Sequence, residues 1–273
     1  MKRCDMIGAS TRLVAIIGSP ITQVKSPENF NRYFEDIGLD RAMIALDLKA
    51  RHVADFVAMV RGWENLDGFV VTIPHKSAVA ALIDEVSPRA LWLGAVNVVR
   101  RHPDGRLSGD MTDGTGFVEA LRARGFALKG KSALLIGAGA AGSAIALALA
   151  ETGLADLSIQ DVEAERASTL VDKLTVAFPH CCSALMVGEA RPFDLVVNCS
   201  PAGMFELDPQ PVAQRIIDAM PPEGMAAEVI TSPELTPFLR AALARGLAVQ
   251  TGVEMAMAQF QLLRKVMDGA AHV

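Results

Sequence analysis

Short apolar runs separated by stretches of helical periodicity organise the first third of the chain. Residues 13–17, 43–48 and 68–73 are each bounded by Gly, Pro, Asp or Ser and read as strands. Between them, residues 26–37 open on Ser26-Pro27 with Glu28 in the first turn, and residues 50–61 place apolar side chains at helical spacing. Each reads as a crossover helix. From Arg89 to Asp113 the pattern changes: residues 96–99 predict a strand, Pro103-Asp104-Gly105 a turn, and Thr112-Asp113-Gly114 the start of a helix that ends near Arg124. A second alternation follows, with strands at 132–136, 156–160 and 194–198 and helices at 140–151 and 164–176. Beyond it come strands at 226–230 and 246–250, a helix starting at Leu235 or Thr236 with Pro237 in its first turn, and a last helix over 252–267.

This alternation predicts an α/β protein of two domains. Residues 1–112 form an N-terminal α/β domain with a mostly parallel sheet, and the length and Ala/Met/Leu content of the final helix, within 252–273, would let it return to that domain. Residues 113–251 form a Rossmann-like dinucleotide-binding domain. The chain is 51% hydrophobic but only 5% aromatic, so the cores are expected to be built from Ala, Val, Leu and Ile. Net charge is −5 and no run of Lys or Arg could follow a phosphate backbone, which argues against a nucleic-acid partner. No apolar stretch has signal-peptide or membrane length, so a cytoplasmic protein is expected. Cys4, Cys181, Cys182 and Cys199 form no metal-type C-x-x-C and read as packing residues, without zinc or disulfide. Monomer and homodimer are both open, since an apolar strand such as residues 43–48 could pair across a sheet edge.

The strongest local motif is Gly137-Ala138-Gly139-Ala140-Ala141-Gly142, directly after an apolar strand and before an Ala-rich helix. In a dinucleotide site the first glycine allows the turn, the second lets the pyrophosphate approach, and the third lets helix pack on strand. Asp161 closes the next strand, where a carboxylate accepts hydrogen bonds from the adenosine ribose hydroxyls and repels a 2′-phosphate. Its other reading is a helix N-cap. Arg166 lies a turn into the next helix and Val162 offers nothing to an anion, so NAD is expected over NADP.

Several segments share their order with one family: Gly18-Ser19-Pro20-Ile21 leading to Lys25-Ser26-Pro27, Val71-Thr72-Ile73-Pro74-His75-Lys76, Gly94-Ala95-Val96-Asn97, Thr112-Asp113-Gly114 and Gln259. With Asn198-Cys199-Ser200-Pro201-Ala202-Gly203-Met204 and Thr236-Pro237, the chain resembles the shikimate dehydrogenases over nearly its whole length. The resemblance implies that Lys76 and Asp113 are the catalytic pair. It implies that Thr72, Asn97 and Gln259 hydrogen-bond ring hydroxyls, that Ser26 and the place of Thr231 meet a substrate carboxylate, and that Ser200, Met204 and Gly252 lie on the cofactor side.

The chemistry agrees with that carry-over. Hydride leaving a secondary alcohol requires a proton to leave its oxygen, and a lysine at a helix N-terminus has a less favourable ammonium form. Taken singly, Lys76 reads more readily as a solvated helix-start residue and Asp113 as a cap; together, at the family's spacing and with Asn97 between them, they read as catalytic.

The chain also departs from the family. Gln23-Val24 replace a His-Ser pair, Thr231 replaces a tyrosine, and Val70 and Met111 replace two asparagines. The hydroxyl-facing set is kept while two of three carboxylate partners are lost, which predicts a greasier pocket and a cyclic polyol or hydroxy-ketone without a carboxylate in the usual place. Two further readings stay open. One is an ordinary shikimate or quinate dehydrogenase in which Lys25, Ser26, Gln23 or Thr231 supplies the donors. The other is a catalytically silent NAD-binding regulatory protein. Oxidation of an amine in place of an alcohol is open as well.

Overall fold

The computed structural model describes residues 7–22, 24–179, 181–184, 191–205 and 210–269. Contacts divide the chain into two compact units, one of residues 1–112 with 259–273 and the other of residues 113–258.

In the first unit, β1 (Arg12–Gly18), α1 (Ser26–Asp36), β2 (Arg41–Asp47), α2 (Val53–Arg61) and β3 (Leu66–Val71) make two parallel crossovers. A short α3 (Lys76–Ala80), β4 (Glu85–Val86), α4 (Pro88–Leu93), β5 (Val98–Arg101) and β6 (Leu107–Asp110) follow. The sheet order is β2-β1-β3-β5-β6-β4, and β5 alone runs against its neighbours, so the sheet is mostly parallel. The strand expected at 96–99 is displaced to Val98–Arg101. Its polar end is kept in the ladder because Arg100 pairs with Gly68 and Ser108, while the buried Arg101 guanidinium donates to the carbonyls of Val60 and Arg61.

One face of this sheet presents Val14, Ile16, Val70 and Val98 to Phe30 and Phe34 of α1 and to Leu263, Val266 and Met267. Phe30 and Phe34 are spaced i,i+4, so they lie on one stripe of the helix and both become fully buried. The same helix protects the sheet edge: the Asn31 side chain accepts from the Met43 N–H at 2.7 Å and donates to the Met43 carbonyl at 3.0 Å. The edge strand β2, a candidate pairing surface by sequence, therefore has these outward groups already bonded.

The second unit contains α5 (Asp113–Ala123), β7 (Ser132–Ile136), α6 (Ala140–Glu151), β8 (Asp156–Gln160), α7 (Ala164–Ala177), β9 (Cys182–Ala184), β10 (Leu195–Asn198), α8 (Gln214–Asp218), β11 (Met225–Glu228), α9 (Pro237–Ala244) and β12 (Ala248–Gln250). Its sheet runs β12-β11-β10-β7-β8-β9 with every pair parallel. That is the doubly wound dinucleotide-binding order, whose switch point lies between β7 and β10. The last helix, α10 (Gly252–Asp268), is crossed by the division between units at 258/259. It starts in a capping box, with the Glu254 N–H donating to Thr251 Oγ1 and the Thr251 N–H to Glu254 Oε2.

Candidate active site

In the first unit, backbone bonds draw the polar motif residues to the C-terminal ends of β1 and β3. The Thr72 N–H donates to the Ile17 carbonyl at 2.9 Å, the His75 N–H to the Thr72 carbonyl at 3.0 Å, and the Val96 N–H to the Lys76 carbonyl at 3.1 Å. The Val71 N–H reaches the Asn97 carbonyl at 2.7 Å. The buried His75 ring anchors the turn from behind, its Nε2 lying 2.5 Å from the Leu48 carbonyl oxygen. Lys76 thus begins α3 as a buried residue, 8% exposed, rather than as a solvated helix start.

Thr112 is the hub of this group. Its N–H donates to Asn97 Oδ1 at 2.9 Å, and its Oγ1 accepts from Asn97 Nδ2 at 3.0 Å and from Gln259 Nε2 at 3.4 Å. Asn97 and Thr112 are almost wholly buried, so these bonds offset a substantial desolvation cost. The structure therefore joins Thr72, Lys76, Asn97 and Gln259 through one bonded framework. Ser26 stands at the first position of α1, half-buried. Asp113, next along the chain from Thr112, heads α5 in the second unit and is 4% exposed.

The apolar replacements behave differently from the expectation of a greasy pocket. Val70 is part of the packed core, and Met111 has no exposed surface. Hydrocarbon surrounds Val70, so its effect falls on packing. Val24 is half-buried against the same core, and Gln23 lies outside the described residues. Thr231 is half-buried in the turn after β11.

The glycine motif of the second unit forms a cradle. Gly137 has φ +98°, and a Cβ there would sit 2.9 Å from the Ser200 nitrogen. A methyl on Gly142 would collide with the Gly137 carbonyl. Gly139 is different: it is exposed, and a Cβ there would meet no atom within 4 Å. Open space therefore lies where the first N–H groups of α6, borne by Ala140, Ala141 and their neighbours, leave donors free for an anion. This arrangement fits the pyrophosphate of a dinucleotide.

Asp161 is held beside the cradle, its Oδ2 accepting from the Ala138 N–H at 2.7 Å and its Oδ1 from the Glu163 N–H at 2.9 Å. Arg166 is paired to Glu163 at 2.9 Å, and Val162 is 99% exposed. Gly252 lies so close to the backbone of Val229 and Ile230 that no side chain fits there.

Across the sheet, Asn198 organises the loop that follows β10. Its Oδ1 accepts from the Ser200 N–H at 3.0 Å and the Ser200 hydroxyl at 2.6 Å, and its Nδ2 donates to the Ala202 carbonyl at 3.0 Å. The Met204 N–H closes the loop on the Pro201 carbonyl at 3.0 Å. Cys199, partly exposed as a residue, has a desolvated thiol; that desolvation, then the nearby Glu228 and Asp113 carboxyls, hold it well above its ordinary range. It stays protonated, so it is not a nucleophile.

The family model for the shikimate dehydrogenase substrate binding domain matches residues 16–99. Over 266 residues the chain is 33% identical to a shikimate dehydrogenase (NADP(+)) of Syntrophomonas wolfei, covering 95% of this chain and 90% of the relative. The chain belongs to the shikimate dehydrogenase family. Among solved structures, the shikimate 5-dehydrogenase of Thermus thermophilus in complex with NADP(H) and shikimate is similar with a TM-score of 0.84 at 35% identity, covering 95% of this chain and 94% of that one. The 5-ketofructose reductase of a Gluconobacter strain is similar with the same TM-score of 0.84 at 28% identity, covering 97% and 96%. Within this shikimate dehydrogenase-family framework, sequence reasoning missed the hub position of Thr112 and the buried Glu228. The available signal for Glu228 was an acid ending an otherwise apolar strand, Met225-Ala226-Ala227-Glu228.

Proposed function

We propose that this protein is an NAD-dependent oxidoreductase of a cyclic polyol or hydroxy-ketone, and that shikimate is a poor substrate for it. A bound nicotinamide would exchange the hydride. In this reading Lys76 takes the proton from the alcohol oxygen, or returns it to the ketone oxygen, and Asp113 steadies the lysine as its charge changes. Thr72, Asn97 and Gln259 orient the ring hydroxyls, with Thr112 holding the last two in register. Ser200, Met204 and Gly252 flank the nicotinamide end, and Gly137 to Gly142 receive the pyrophosphate.

The observation that carries the NAD preference is the Asp161 carboxylate, fixed by two backbone N–H groups. Each oxygen keeps a lone pair for a ribose hydroxyl. The nearest cation in the following helix, Arg166, is neutralised by Glu163, so a 2′-phosphate would meet two acids and an arginine already paired. The relative above is named for NADP(+), so this preference rests on the residues of this chain alone.

Loss of two carboxylate partners supports the substrate reading, because desolvating an anion without donors costs several kcal/mol. The likeness to a 5-ketofructose reductase supports it too, since that protein is named for an uncharged hydroxy-ketone. The test is reduction of NAD and NADP by the purified protein against shikimate, quinate, aminoshikimate and uncharged cyclitols, with reduction of keto sugars by NADH and Lys76→Ala as control. Turnover of an uncharged substrate with NAD or NADH, abolished in the variant, is the expected result. Shikimate turnover matching the best substrate would refute the carboxylate argument.

A further inference from the structure

Glu228 takes no part in the steps above, yet it has no exposed surface and is bonded on every side. It ends β11 directly beside Asn198 in the parallel register. Asn198 Nδ2 donates to Glu228 Oε1 at 2.7 Å, and Thr236 Oγ1 donates to Oε2 at 2.7 Å. The Ile230 N–H adds a third donor. Thr236 in turn caps α9 by accepting from the Leu239 N–H at 3.3 Å. One carboxyl therefore joins the end of β10, the turn after β11 and the start of α9.

The consequence for the neighbouring loop follows from the asymmetry of an amide. Asn198 must aim its oxygen at the Ser200 N–H and hydroxyl and its NH2 at the Ala202 carbonyl. Turning the amide over would set donor against donor at Ser200 and acceptor against acceptor at Glu228. Burial pushes the Glu228 carboxyl up to about 8, but Oε1 remains an acceptor in either charge state. The proton can reside on Oε2 and be given to Thr236, whose hydroxyl accepts as readily as it donates. A leucine in this place keeps much of the volume but offers no acceptor, so the Asn198 NH2 loses the partner that fixes its side of the amide.

We propose that Glu228 is a positioning residue for the nicotinamide end of the dinucleotide site: it locks the Asn198 amide, and through it the backbone and hydroxyl of the Ser200–Gly203 loop. The proposal rests on the dinucleotide reading above. It predicts that disturbing Glu228 weakens the grip on the nicotinamide half while leaving the adenosine and pyrophosphate half, held at Gly139 and Asp161, unaffected.

The test compares NADH with ADP-ribose, which lacks the nicotinamide, by titration calorimetry of the whole chain. In Glu228→Leu the Kd for NADH is expected to rise about tenfold, the loss of one well-made hydrogen bond, while that for ADP-ribose stays within about twofold. Glu228→Asp, which keeps both acceptor oxygens, should restore most of the NADH affinity. If the leucine variant does not fold, Thr236→Val removes one donor from the same carboxyl in an isosteric way and is expected to show the same selective loss. Equal weakening of both ligands, or of neither, overturns the proposal. Failure of the unaltered protein to bind either ligand would overturn the dinucleotide reading and this proposal together.

Discussion

Two glycines three positions apart should respond in opposite ways to a single methyl group. At Gly139 the backbone has φ −72° and ψ −173°, which alanine adopts freely, and an added Cβ meets nothing within 4 Å. Alanine at this N-cap position forgoes a modest capping preference and reduces the entropy of the unfolded chain, so the net change in stability is within about 1 kcal/mol. The methyl would instead occupy the space through which a pyrophosphate reaches the helix N–H groups, and an overlap of this kind costs about 1–3 kcal/mol, or roughly 5- to 150-fold in Kd for NADH. At Gly142 the added atom would sit 2.9 Å from the Gly137 carbonyl carbon and 3.3 Å from Cys199 Cβ. Backbone cannot yield cheaply, so Gly142→Ala should lose about 2–4 kcal/mol and melt about 5–10 °C lower. Thermal unfolding and NADH fluorescence titration of both variants provide the measurements. A Gly139→Ala protein that binds NADH like the parent would show that no phosphate approaches the cradle there.

Two further outcomes are expected. Glu228 is raised from 4.5 to about 8, so between those values the folded protein holds a proton that the unfolded chain has released, and stability falls as pH rises through that window by up to about 5 kcal/mol. Urea midpoints at successive pH values should drop for the parent more steeply than for Glu228→Gln, and parallel curves would show that the carboxyl is not held neutral. Thr112→Val removes the acceptor shared by Asn97 and Gln259 and leaves a buried amide unsatisfied, which should cost about 1–3 kcal/mol and raise KM for the ring substrate; an unchanged KM would separate Thr112 from substrate binding.

Much of the doubly wound unit was legible because its signals are local. The strands Ser132–Ile136 and Asp156–Gln160 and the helix Ala140–Glu151 appear where the apolar period and the glycines place them. Elements set by their partners were not. β6 reads Leu-Ser-Gly-Asp, with no strand-like alternation, and exists because β5 and β4 pair on either side of it. The five residues of α3 are too few to carry a period.

The same distinction holds in the site. Lys76 and Asn97 were marked by their motifs, whereas Thr112 acquires its role from Gln259, 147 positions away, and Glu228 from Asn198, 30 positions away. Val70 and Met111 were visible as replacements, but only the structure shows that Val70 sits in the packed core and that Met111 is fully buried.

The division of α10 has a consequence for the order in which the protein is made. The second unit is one uninterrupted stretch of chain, residues 113–258, whereas the core of the first draws on Leu263, Val266 and Met267. On the ribosome, residues up to 112 emerge before those after 258, so Phe30 and Phe34 stay without Leu263, Val266 and Met267 while the stretch between is already out. A chain ending after residue 258 would therefore carry the whole second unit joined to a first-unit sheet whose Phe30 and Phe34 lack Leu263, Val266 and Met267.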